Sequence, residues 1–240
     1  MRAAFAIACL VLVFAPMSAI AQDMSNILGE GGSISTRGIQ IFLLITVLSL
    51  APGLAIMVTC FPFIVTVLSI LRQALGLQQS PPNMLIVSLA MFLTYFVMEP
   101  VFSTAWEQGV SPMIEEVITP TEAFPLVMQP FRTFMASRLD PETFQAMADL
   151  RPNNLEIQLG PDAPLSELMP SFMLSEISRA FQIGFLVFLP FLMIDLVVAA
   201  VLMSMGMMMV PPAIVSLPFK LSFFVVADGW SLIATSLVRG

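Results

Sequence analysis

Asp195 and Lys220 each stand inside a long apolar run of a 240-residue chain that contains no histidine. The missing imidazole removes the commonest general base and the commonest metal ligand together. A lone carboxylate at mid-membrane costs about 2.5–3.5 kcal/mol on insertion scales, so such a charge calls for a partner or a cavity. The midpoint between the two residues falls between Met207 and Met208. A helical hairpin with its apex there brings the carboxylate and the ammonium to one height. The plain reading is a salt bridge that decides which helices dock, and a proton relay through Asp195 is the sharper one. Spacing leaves open whether the pair closes within one chain or between two. An aspartyl-protease dyad of Asp195 and Asp228 needs carboxylates that share a proton. Lys220 competes for Asp195, and no glycine-aspartate motif supports either residue. Asp228-Gly229-Trp230 reads as interfacial anchoring, with Trp230 in the aromatic belt. Glu176 and Arg179 read as a local surface pair.

The hairpin apex itself reads MSMGMMMVPP, residues 203–212. Three readings compete for it. Thioethers bind Cu(I), which makes a soft-metal site of Met203, Met205 and Met207 one of them. Lipid-facing filler is another. The third is mechanical: unbranched thioether chains pack against irregular, changing surfaces without demanding hydrogen bonds. A ring of such tips can close a pore to water and ions as a hydrophobic constriction does. Gly206 loosens the backbone before Met207, Met208 and Met209, and Pro211-Pro212 are expected to stop the helix after them.

The elements that carry these residues follow from composition. The chain is 58% hydrophobic and 10% charged, against about 25% charged in ordinary soluble domains. Its solvent is therefore lipid or other subunits. Residues 39–71 run without a charge, and as one straight helix they exceed an apolar core of about 30 Å. Pro52-Gly53 and Pro62 are expected to break that run. A second apolar block covers 84–102, and two more cover 177–210 and 213–238. On the third, Phe181, Phe185, Phe188, Leu192, Asp195 and Ala199 share one stripe and are expected to face protein.

Between the second and third blocks, residues 103–170 hold ten acidic residues and three arginines. Phe131, Phe134, Met135 and Leu139 fall on one helical face. Asp140-Pro141 reads as an N-cap followed by proline at the first helical position, with Phe144 and Met147 lining the next helix. This acidic insert makes nucleic acid an improbable partner. At the N-terminus, Arg2, an apolar run and Ala19-Ile20-Ala21 read as a signal peptide with cleavage expected after Ala21, the alternative being an uncleaved first helix. Cys9 leaves with it, so Cys60 has no disulfide partner. The expected divisions are 1–21 signal peptide, 22–38 polar segment, 39–102 first apolar hairpin, 103–170 insert and 171–240 second apolar hairpin.

These residues resemble a known family. PSFMLSEISRAFQIGF (170–185), IDLVVA (194–199), MSMGMMMVPP, PFK (218–220), DGW (228–230) and FPFIVTVLSILRQALGLQQSPPN (61–83) occur in one order and together span residues 61–230, well over half of the mature chain. Together they are similar to the FliP family, membrane subunits of the flagellar type III secretion export gate, with a sister family in injectisomes. Ser171 departs from the alanine common in that family.

The resemblance implies an all-α membrane protein. Its kinked helical hairpins would pack between subunits into an export-gate cone, with a helical insert on the periplasmic side of the inner membrane. It implies further copies of the chain, FliQ-like and FliR-like sister subunits, a larger export-gate protein and the basal-body ring as partners. Exported unfolded flagellar polypeptides are the cargo. Met207, Met208 and Met209 are implied as a pore gasket, and Asp195 with Lys220 as a charge pair between subunits. No cofactor and no catalytic chemistry are expected. The alternative function is a small-solute or soft-metal transporter subunit. N-terminal sequencing of the mature protein is expected to start near Gln22, and an intact Met1 would overturn the signal and the topology built on it.

Overall fold

In the computed structural model the described residues are 34–77, 81–150, 158–207 and 209–239, and they are all-helical apart from turns. Ala19, Ala21 and most of the polar segment lie outside them. The elements are α1 (Ile34–Met57), α2 (Phe61–Ala74) and α3 (Asn83–Ala105), a π-helical turn (Trp106–Val110), then α4 (Ser111–Ile114), α5 (Pro120–Arg138) and α6 (Pro141–Asp149). The chain ends with α7 (Leu165–Ser204), α8 (Pro212–Val226) and α9 (Gly229–Arg239). Two compact units divide at Pro52. The first contributes the start of α1, whose side chains from Gly38 to Leu50 are all exposed.

Among the described helices, three are long and apolar enough to cross a membrane, within 38–57, 83–114 and 165–204. The pair α8–α9, bent by 64°, makes a fourth if counted as one span. The protein is an all-α membrane protein.

Proline behaves differently from the sequence expectation. Pro52 lies inside α1, which runs on to Met57. A proline in mid-helix removes one hydrogen bond, and an apolar run can absorb that without breaking. The turn comes instead at 58–60, where the Thr59 hydroxyl donates to the Ile56 carbonyl at 3.1 Å and accepts from the Phe61 amide at 3.4 Å. Pro62 then sits in the first turn of α2, where its missing N–H has no partner to lose. The last apolar block, expected as one segment, divides at Ala227-Asp228, because Asp228 takes a left-handed φ of 49°.

The core of the second unit is built around α2. Phe63, Ile64, Val67, Leu68, Leu71 and Ala74 form its buried stripe, at spacings that return to one face every turn. They pack with Ala90 and Met98 of α3, Ala180 and Phe191 of α7, Phe224 of α8 and Leu237 of α9. A satellite core under the insert joins Met135, Leu139 and Phe144 to Leu168 and Phe172.

Local signals fix the insert. Asp140 accepts from the Thr143 amide at 2.9 Å and its hydroxyl at 2.6 Å, which caps α6. Thr119 and Glu122 form a reciprocal capping box at the start of α5. Hydrogen bonds from Thr143 hold the Asp140 carboxyl below the usual carboxylate range, and those from Thr119 do the same for Glu122. Both caps are therefore complete above the ordinary carboxylate pKa and loosen as pH falls through the depressed values.

Gly109 sets how closely the π-helical turn approaches α5. A Cβ there would lie 2.4 Å from Val127 Cγ2 and 2.9 Å from the Val127 backbone nitrogen, and a backbone atom cannot rotate away. Gly109→Ala is expected to destabilise the protein by about 1–3 kcal/mol, read as a lower Tm in detergent, whereas Gln108→Ala next door leaves Tm unchanged. An unchanged Tm for Gly109→Ala would contradict the packing.

Candidate functional site

Helices α7 and α8 form a hairpin, and its two buried-side charges meet. Lys220 Nζ lies 2.6 Å from Asp195 Oδ2 within one chain. The resemblance implies a pair between subunits; here the two groups join helices of the same subunit. The Ser216 hydroxyl donates to Asp195 Oδ1 at 2.6 Å. Lys220 Nζ also donates to the Ala74 carbonyl at 3.0 Å. One ammonium thus ties α8 to α7 through a carboxylate and to the C-terminus of α2 through a carbonyl. A cation at a helix C-terminus is further favoured by the exposed carbonyl dipoles there. The Lys220 side chain is 6% exposed and that of Asp195 32%, so the pair is shielded on one side only.

The apex follows from backbone geometry. Gly206 adopts φ 75°, its amide donates to the Met203 carbonyl and the Met207 amide to that of Leu202, both at 3.0 Å. This is the Schellman arrangement that ends a helix on a left-handed glycine. Pro211 and Pro212 do not stop α7, as the sequence suggested. They start α8, as its N-cap and first residue, where a fixed φ and an absent N–H suit a helix N-terminus. Met203, Met205, Met207 and Met209 are all exposed, Met209 at 96%. Met208 lies outside the described residues.

The described residues cover the aromatic stripe on α7 only in part: Phe188 packs against the core. Phe181 and Phe185 are 60% and 61% exposed, because α2 docks on the neighbouring face through Ala180, Gly184 and Phe191. Beside it, an apolar cleft of about 610 Å³ opens between α7 and α8, lined by Met193, Val197, Val201, Val215, Phe219 and Phe223 among others. Trp230 is half-exposed and packs edge-on against Phe224, centroids 5.3 Å apart.

A second ion pair was not anticipated. Glu176, read as a surface residue beside Arg179, is fully buried and accepts from Arg138 Nε at 3.0 Å. The Arg138 guanidinium lies over the Phe63 and Phe134 rings at 5.6 and 5.5 Å. The end of α5 is thereby fastened to α2 and α7. A signal was present: Arg138 follows Phe131, Phe134 and Met135 on the apolar face of α5, where an unpaired cation has no place.

The Asp195–Lys220 pair makes a quantitative prediction. Asp195→Asn and Lys220→Met are each expected to lower stability in detergent by about 1–3 kcal/mol, less than for a fully buried pair because one carboxylate face meets solvent. The double variant is expected to be less damaging than the sum of the two, since neither charge is left uncompensated. Strict additivity in this cycle would rule out the pairing.

The FliP family profile matches residues 44–237. A flagellar biosynthetic protein FliP from Caulobacter vibrioides is 49% identical over 235 residues, 98% of this chain and 87% of the relative. Proteins of the same name from Rhizobium meliloti and Bacillus subtilis are 47% and 45% identical, over 87% and 84% of this chain and 85% and 90% of their own lengths. Such identity, sustained across the insert and both apolar hairpins, means that the chain belongs to the FliP family.

Proposed function

We propose that the chain is a multi-copy subunit of a flagellar protein-export channel, in which the α7–α8 apex of each copy lines a shared constriction. The relatives' names support the flagellar assignment. The observation that carries the channel reading is the contrast along one hairpin. Its charges turn inward to fix α7, α8 and α2 together, while at its apex the thioethers of Met203, Met205, Met207 and Met209 are left exposed by the described residues. Such a surface needs lipid, further copies or sister subunits of FliQ-like and FliR-like type to cover it. The uncovered stripe at Phe181 and Phe185 and the cleft beside Val197 and Phe219 are continuous apolar faces suited to neighbouring helices.

In this reading Met207, Met208 and Met209 form a gasket. Thioether chains change rotamer at little energetic cost, so a ring of them excludes water at rest and yields to an unfolded polypeptide of varied side chains. The Asp195–Lys220 pair acts one step back, holding each hairpin at a fixed height on α2. The protein supplies a conduit; its residues catalyse nothing, and the driving force comes from other components, among them a larger export-gate protein. The insert lies on the periplasmic side of the inner membrane.

Replacing Met207, Met208 and Met209 with glycine is expected to leave the detergent-extracted complex at its original mass and to make cells permeable to small ions. Wild-type permeability in a fully assembled variant would sink the gasket.

A further inference from the structure

The tip of the insert, from the π-helical turn to the first turns of α5, carries a surface that the channel reading does not use. Trp106, Ile114, Val117 and Phe124 are all exposed, Val117 at 72%. They are brought to one tip because the π-helical turn packs against α5 at Gly109 and Val127, with α4 folded onto the same turn. Interspersed with them, Glu107, Glu115, Glu116 and Glu122 are exposed. No lysine or arginine occurs from 73 to 131. An apolar patch rimmed by charge of a single sign marks an interaction surface, and the sign selects the partner.

Lipid does not fit this surface. Four exposed carboxylates, Glu107, Glu115, Glu116 and Glu122, stand among these apolar side chains, and placing them in a hydrocarbon core would be costly. Anionic headgroups would be repelled by four carboxylates with no cation among them. Tip-to-tip pairing with a second copy fits poorly as well, since residues 73–131 hold no cation to meet the carboxylates. Arg132 of the insert donates to the Pro161 and Ala163 carbonyls at 3.1 and 3.0 Å, and Arg138 is committed to Glu176. Neither can answer the carboxylates of another tip.

We infer that the insert tip docks a polypeptide helix with lysines or arginines flanking an apolar face. Ile114 and Val117 meet the apolar side chains, and Glu107, Glu115 and Glu122 meet the cations at the rim. Rim charges of this kind set salt dependence and partner choice, while the apolar centre sets the lifetime. The inference does not rest on the methionine gasket and is tested apart from it.

The test uses the full chain in detergent and a fluorescent synthetic Leu/Lys amphipathic helix as probe, with a Leu/Glu helix of the same pattern as its counterpart. Anisotropy is expected to show the Leu/Lys helix binding and the Leu/Glu helix not. The variant I114S/V117S is expected to weaken binding about tenfold, as the loss of two apolar contacts implies. The variant E107Q/E115Q/E122Q is expected to weaken it about tenfold at low salt and to flatten its salt dependence. E142Q/D149N, which removes two exposed carboxylates of α6, is expected to bind as wild type. Equal weakening by E142Q/D149N would reduce the effect to net charge and overturn the site. So would tip variants that bind the probe normally but shrink the extracted complex, or that lose only flotation with anionic vesicles.

Discussion

One ammonium group holds the second apolar hairpin to the rest of the fold. Lys220 reaches Asp195 on α7 and the terminal carbonyl of α2 at once, and Ser216 secures the other carboxylate oxygen. Apolar packing alone fixes helix partners loosely, because one aliphatic face slides over another with little change in buried area. A bonded charge in an apolar setting is different. Displacing it strands a carboxylate, an ammonium and a backbone carbonyl together, so register is specified at a single level. The stability it adds is modest, and what it supplies is position. The apex of the hairpin is then held at a set height relative to α2, whatever surrounds its outer faces.

A second charged joint does the corresponding work at the other end of α2. Arg138, clasped by Phe63 and Phe134 and bonded to Glu176, fastens the acidic insert to the apolar helices. Both joints converge on α2, the helix with the continuous buried stripe, which makes α2 the frame to which insert and hairpin are referred. The insert can be strongly acidic and the hairpin strongly apolar without either dictating the other's placement.

Much of this was legible in the residues, for local reasons. The N-cap at Asp140, the buried face of Phe134, Met135 and Leu139, and the turn at Gly206 each depend on a few neighbours, so short-range chemistry decides them. The prolines were harder. Pro52, Pro62 and Pro211-Pro212 all read as breakers, yet one is absorbed and the others open helices, because proline's effect depends on where the previous helix has already ended. Glu176 was misread since Arg179 is near in sequence, whereas Arg138 is near only in space. The stripe from Phe181 to Ala199 was identified as a helix face, but which of two adjacent faces α2 would choose is a packing outcome that periodicity does not contain. The Met208 thioether and the segment around Ala19 and Ala21 lie outside the described residues.

Among the described residues, the hairpin turn closes through main-chain groups: a left-handed glycine, two amides returning to the preceding turn and a proline pair that launches the next helix. Among the described residues there, the side chains of Met207, Met209 and Val210 carry no N–H or O–H donor for that closure. Shape and surface are thus separable at this point of the chain. The loop keeps its outline whatever hangs from it, and softness, bulk or polarity at the tip can be retuned residue by residue without refolding the helices beneath.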